Sequence, residues 1–208
     1  MRLYSYKIVR DYGFAPNPYK GVCSLATCKP MIRSGAQIGD WIAGFAGVNT
    51  GYKDRLVYLM QISETCSFNQ YWEDERFNQK KPRYDRKYLD CYGDNIYHMN
   101  ERGGWYQENS HHSYEDGINN LNLIRDTRVD RVLLSNRFWY FGCSAIELPG
   151  EFKLLIPARN IRNCFSISDQ DLILRFEQWM EINFETGVHD YPFSIDWKRK
   201  TLERYDGK

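Results

Sequence analysis

No apolar run approaches the roughly 20 residues that a membrane-crossing helix needs, and no apolar leader follows Met1. The expectation is a cytoplasmic protein with no membrane partner. Neither charge is in excess, the net charge being +1, so the chain lacks the basic field with which strong duplex binders hold phosphate backbones. Any nucleic-acid contact must be local. No phosphate-cradling glycine loop, nucleophile elbow or dinucleotide fingerprint occurs, which leaves nucleotide triphosphatases, serine hydrolases and NAD-dependent oxidoreductases without support. Histidine is scarce, with four copies. Six cysteines give one close pair, Cys23 and Cys28, with no partner pair to complete a tetrahedral zinc set. Free thiols, no metal and no cofactor are expected. Cys23, near Lys20 and Lys29, is the thiol that charge would activate and burial would silence.

What is abundant is aromatic: rings make up 16% of the 208 residues, including 16 tyrosines and six tryptophans. Such rings fill cores, and they also stack on bases and sugars. Together with 42% apolar residues, they argue for one folded unit spanning 1–208 rather than disorder. Basic residues gather at Lys80, Lys81, Arg83, Arg86 and Lys87, at Arg125, Arg128 and Arg131, and at Lys198, Arg199 and Lys200. Solvated faces are the expectation for all three groups.

Alternation over Leu3–Val9 predicts a strand, and the glycine and prolines of 11–18 a rigid loop after it. Residues 41–45 and 56–62 read as a hairpin, and Ser67-Phe-Asn-Gln70 as a capping box opening a short helix. From about 78 to 122 the chain lacks sustained apolar periodicity, which predicts a long irregular, functional insertion. Residues 131–134 and 138–142 read as a second hairpin around a turn at 135–137. An amphipathic helix capped by Ser168 is expected over 169–184, stopped by Gly187, with Leu172, Ile173, Phe176, Trp179, Met180 and Phe184 facing the body.

Three of the four histidines lie between Gly93 and Ser113, around Gly103-Gly104-Trp105-Tyr106-Gln107. Asp94, His98, His111 and His112 are the candidates for acid-base catalysis, because imidazole titrates near neutral pH and a carboxylate can orient it. Their spacing suits a metal poorly. Tyr12, Phe14, Trp41 and Trp105 are the candidates for stacking on a base, with Asn17, Asn95, Gln107, Ser110 and Ser113 for reading its polar edge.

Asp11-Tyr-Gly-Phe-Ala-Pro-Asn-Pro18, Cys23-Ser-Leu-Ala-Thr-Cys-Lys-Pro30, Gly39-Asp-Trp-Ile42, Gly93-Asp-Asn95, Ser110-His-His-Ser113 and Phe138-Trp-Tyr-Phe-Gly142 together resemble the family called nucleotide modification associated domain 2. The resemblance spans nearly the whole chain. It implies a base-modification setting and assigns no residue roles. Residues 38–42, 56–64 and 68–72 are similar in order to EVE and other PUA-like domains, small barrels that read modified bases. The expected fold is α+β: a curved, mostly antiparallel sheet or open PUA-like barrel with a C-terminal amphipathic helix. Three functions stand open. The first is recognition of a nucleotide or nucleic acid, possibly modified, by stacking and edge contacts, alongside modification enzymes as functional partners. The second is a base- or nucleotide-modifying enzyme using an Asp/His site, and the third is a protein-interaction module.

Overall fold

In β1 (Leu3–Ile8), Tyr4, Tyr6 and Ile8 point into one core and Leu3 into another, as strict alternation requires. The computed structural model describes residues 1–158, 165–198 and 201–207. After β1 come β2 (Cys23–Leu25), β3 (Trp41–Ala46), β4 (Leu56–Gln61), β5 (Glu64–Cys66), β6 (Tyr97–Met99), β7 (Trp105–Gln107), β8 (Val132–Ser135), β9 (Arg137–Tyr140), β10 (Phe165–Ile167) and β11 (Gly187–Val188). The fold is α+β, with open sheets that are mostly antiparallel. In the six-stranded sheet, ordered β10-β1-β3-β4-β9-β11, only β1 with β3 and β9 with β11 run parallel.

Register sorts the side chains into layers. Tyr4, Ile42, Met60 and Phe138 line up on one face, and Ser5, Ala43, Leu59 and Trp139 on the other. In the next row Tyr6 and Tyr58 both oppose Gly44, and their hydroxyls meet at 3.0 Å. A Cβ on Gly44 would lie 2.3 Å from the Tyr58 ring, so only glycine admits it.

Against the Trp139 face packs the expected amphipathic helix, α4 (Gln170–Asn183), burying Leu172, Ile173, Phe176 and Met180 with Trp179 and Phe184 half-buried. Its cap is Asp169 rather than Ser168, the Asp169 carboxylate accepting from the Leu172 N–H at 3.1 Å. It ends before Gly187, where Phe184 turns extended.

Against the opposite face lies the second sheet, ordered β2-β8-β5. Leu133 of β8 joins the core between the sheets, whereas Val132 and Leu134 face a third, aromatic core of Phe14, Phe68, Tyr71, Tyr92 and Tyr97. Cys23 and Leu25 of β2 likewise point between the sheets. The expected hairpin of β8 with β9 does not form: β8 pairs with β2 and β5, and β9 with β4 and β11. Both strands bury both faces, so neighbouring apolar runs give no signal that they belong to one sheet.

Two helices and β6 and β7 close the third core, while a third helix packs Ile32 into the core between the sheets. Here α1 (Pro30–Gly35) follows β2, and α2 (Phe68–Glu73) opens on the capping box, both of its bonds being present. The irregular region from 78 to 122 contributes a 3-10 turn over Tyr88–Tyr92 and the β6–β7 ribbon. It ends in α3 (Asn120–Thr127), capped by Asn119. No described helix is long and apolar enough to cross a membrane.

Candidate functional site

Where β2 leaves its sheet, Ala26 and Thr27 are buried, and the chain turns sharply through Cys28 (φ 58°) and Lys29 (φ 39°) before Pro30 starts α1. Two consecutive left-handed residues other than glycine store strain, and they leave Cys28 half-exposed at the tip. Helix α3 presents Asp126 from its last turn, fully buried. His112 comes from the turn Ser110-His-His-Ser113, in which the Ser110 N–H donates to Ser113 Oγ at 3.0 Å and the Ser113 N–H to the Ser110 carbonyl at 3.1 Å. Gln107 and Asn122 both donate to the His112 carbonyl, at 3.0 and 2.8 Å.

These three residues meet. His112 Nδ1 lies 2.8 Å from Asp126 Oδ2, and its Nε2 lies 3.7 Å from Cys28 Sγ. An ionised carboxylate only accepts, so Nδ1 carries the proton that faces it. Tyr97 also donates to Oδ2 at 3.0 Å, and the Cys28 N–H donates to Oδ1 at 3.0 Å. Beneath the turn, the buried Arg33 guanidinium donates to the carbonyls of Cys28, Asp126, Val129 and Arg131. One side chain thus ties the cysteine turn to the end of α3.

Burial opposes charge on His112, but the Cys28 sulfur and the Asp126 carboxylate outweigh it and raise the imidazole to about 9. Burial likewise opposes ionisation of Asp126, and the His112 charge outweighs it, holding the carboxyl below its ordinary range. His111 behaves oppositely. Burial and then the neighbouring His112 charge push it down to about 3, its ring lying 4.6 Å from Tyr12, 5.1 Å from Phe14 and 5.6 Å from Tyr92, with Nδ1 on the Glu203 carbonyl.

Adjacent histidines are therefore expected to titrate apart in a ¹⁵N NMR pH series: at pH 5 His111 is neutral and His112 charged. The linkage follows. A lowered folded value stabilises above the unfolded one, so the His111 contribution is lost as pH falls from 6.5 toward 3. A raised one stabilises below it, so the His112 contribution is lost as pH rises from 6.5 toward 9. Normal titration of both rings near 6.5 would contradict the geometry.

The remaining sequence candidates divide. Tyr12 and Phe14 wall the two histidines, Phe14 lying 4.6 Å from His112, while Gln107, Ser110 and Ser113 hold the turn. Asp94 lies in a separate buried cluster, accepting from Ser24 at 2.6 Å and Tyr71 at 2.9 Å, its carboxyl raised by burial. Asn17 accepts from Lys80 at 2.8 Å, and Asn95 donates to the Tyr71 carbonyl at 2.7 Å. His98 stacks on Trp72 at the surface, 4.2 Å between centroids, with Nε2 2.9 Å from Glu108. Trp105 sets its edge against Phe68, and Trp41 is buried beside Trp139 on the α4 side. The structure does not bring this second set to His112.

Sequence reasoning missed Cys28, Asp126, Tyr97 and Arg33. Asp126 sits inside the second basic cluster, and Cys28 was weighed only as half of a zinc pair. The other half, Cys23, is fully buried with its thiol pushed up to about 12 by that burial. Arg199 and Lys200 of the third basic cluster lie outside the described residues.

Ligand atoms of Cys28, His112 and Asp126 all lie within 4.8 Å of one another, a spacing that a soft divalent ion accepts. Asp126 is already engaged by His112, Tyr97 and the Cys28 amide, so the arrangement is that of a hydrogen-bonded triad. A cavity of about 660 Å³ is lined by Tyr84, Tyr88, Asn109, Glu203 and Arg204 among others, and it reaches the histidine turn through Glu203, bonded to His111, and Arg204, bonded to the Ser110 carbonyl.

Residues 1–201 match the family model described as nucleotide modification associated domain 2. No curated protein and no solved structure matches.

Proposed function

Since the chain belongs to the nucleotide modification associated domain 2 family, we propose that it is an enzyme of nucleotide modification that works through a covalent intermediate on Cys28. The observation that carries this is His112 Nε2 facing Cys28 Sγ at 3.7 Å while Asp126 holds Nδ1. A nucleophile, a base within reach and a third group orienting the base are what covalent catalysis needs. The substrate class is an acyl compound, an amide or ester, at a base or nucleotide.

His112, charged at neutral pH, already holds on Nε2 the proton it shares with Sγ, so Sγ adds to the carbonyl carbon as the thiolate. The imidazolium then gives that proton to the leaving amine or alkoxide as the carbon–nitrogen or carbon–oxygen bond breaks, leaving a thioester. An acceptor, water or an amine, attacks the thioester; its proton goes to His112 Nε2 as the carbon–sulfur bond breaks and Sγ leaves as the thiolate, which restores the enzyme. Asp126 keeps the ring in the one tautomer that serves both transfers, and Arg33 is a positioning residue for it.

Iodoacetamide is expected to label Cys28 at pH 6 faster than the buried Cys23, with peptide mapping to locate the adduct. His112→Ala should slow labelling, and Cys28→Ala should remove the adduct. Labelling of Cys28 no faster than that of Cys23, or stoichiometric zinc that must be stripped before labelling, would overturn the nucleophile.

A further inference from the structure

Residues 201–207 form no helix or strand, yet they close over the histidine turn through a set of main-chain bonds. The Tyr205 N–H donates to the His111 carbonyl at 2.8 Å, and Asn122 Nδ2 donates to the Tyr205 carbonyl at 2.8 Å. Asn119 Nδ2 donates to the Asp206 carbonyl at 3.1 Å. Both asparagines stand at the start of α3, the helix that carries Asp126. The strap places the Tyr205 ring 5.5 Å from the His112 ring, and the guanidinium carbons of Arg10 and Arg125 lie 5.4 and 5.3 Å from the Tyr205 centroid.

A planar ring flanked by two guanidinium groups and an imidazole is the environment that proteins offer to a nucleobase. The same strap forms one wall of the cavity of about 660 Å³, through Thr201, Leu202, Glu203 and Arg204. That volume is in the range that small-molecule ligands fill. The strap thus touches this cavity at residues 201–204 and the His112 ring at Tyr205.

We infer that the Tyr205 ring stands in the subsite for the base of a nucleoside monophosphate, between Arg10, Arg125 and His112, and that the strap lifts to admit it. The identity of the reaction rests on the Cys28 reading; the subsite does not. Lifting the strap joins the cavity to the His112 ring. It leaves the two arginines to stack on the base and to neutralise the phosphate, contacts that a point charge alone would not supply.

The test is calorimetric titration of AMP, GMP, CMP and UMP into the full chain. Apparent affinity is reduced by the fraction of time a site is open, so Tyr205→Ala should tighten binding of at least one nucleotide by about tenfold. Tyr205→Phe, which keeps the ring, should bind like the wild type. Adding Arg10→Ala and Arg125→Ala should abolish the gain. Hydrogen exchange on the unaltered chain gives a second readout that needs no variant to fold: amides 203–207 should exchange faster once nucleotide is added. Equal affinity in wild type and Tyr205→Ala, strap amides that slow on binding, or inorganic phosphate binding as tightly as the nucleotide would each overturn the subsite. Repeating the titration on Cys28→Ala separates the two proposals: binding there keeps the subsite, whereas a Cys28 that stays unlabelled in the unaltered chain would sink the nucleophile alone.

Discussion

Replacing Lys80 with alanine is expected to lower the unfolding free energy by about 3–5 kcal/mol, the cost of leaving the partners of a buried charge uncompensated. The ammonium lies inside the protein, where it donates to the Asn17 carbonyl and side chain at 2.9 and 2.8 Å, to the Val22 carbonyl at 2.6 Å and to Ser24 Oγ at 3.3 Å. Burial lowers it to about 8, opposed by the Asp94 charge, so it stays protonated at neutral pH. Its removal strands the buried acceptors on Asn17 and Ser24. Asp94 becomes a buried carboxylate without a cation, and the loop carrying Asn17 loses its anchor. Since that loop also carries Tyr12 and Phe14, the wall behind His111 and His112 should loosen with it. Urea unfolding gives the measure, and the double variant Lys80→Met, Asp94→Asn should recover part of the loss by removing both charges. A change below about 1 kcal/mol, the ordinary cost of a surface substitution or less, would mean that Lys80 is not buried as a charge.

The second large effect is expected on turnover. Asp126→Asn should reduce it by a factor on the order of 10⁴, as when the orienting carboxylate of a hydrolytic triad is made an amide. The amide can still accept from the Cys28 N–H, so the turn persists. But an NH₂ group facing Nδ1 makes that nitrogen an acceptor and moves the ring proton to Nε2. A neutral ring with its proton on Nε2 has no lone pair there for the thiol proton, so the charged pair with Cys28 does not form. The His112 value of about 9 depends in part on the Asp126 charge, and it should fall in the same variant. Loss of Cys28 labelling at pH 6 together with a lowered His112 titration is the expected pair of readouts. Unchanged labelling in a folded Asp126→Asn protein would remove Asp126 from the mechanism. The alanine variant is the weaker test, because it also strands Tyr97 and the Cys28 amide.

Much of the architecture was legible because it is written locally. The alternation of β1, the apolar run of β4, the reciprocal cap of α2 and the stripe of α4 are periodic within one element, and period decides which face is buried. The histidine turn also stood out, as rare residue types beside glycines in a polar stretch. Within it, sequence could not separate His98, which stacks on Trp72 at the surface, from His112, which meets Cys28. Trp41 and Tyr12 read alike as rings beside turns, yet one packs under α4 and the other beside His111.

The amino-acid sequence by itself determined the locally periodic elements β1, β3, β4, α2 and α4 and the α+β class, and it singled out the histidine turn. Tertiary structure alone decided which side chains meet that turn. Cys28 stands 84 residues before His112, and Asp126 stands 14 after it. No helical or strand period links such positions, and only the stacking of two sheets and a capped helix sets the sulfur, imidazole and carboxylate in line. For the same reason Lys80, one of five basic residues that promised a solvated surface, became an internal charge, and a hairpin expected between β8 and β9 became two strands of different sheets. Local patterns specify which face of an element avoids water; they do not specify which other element covers it.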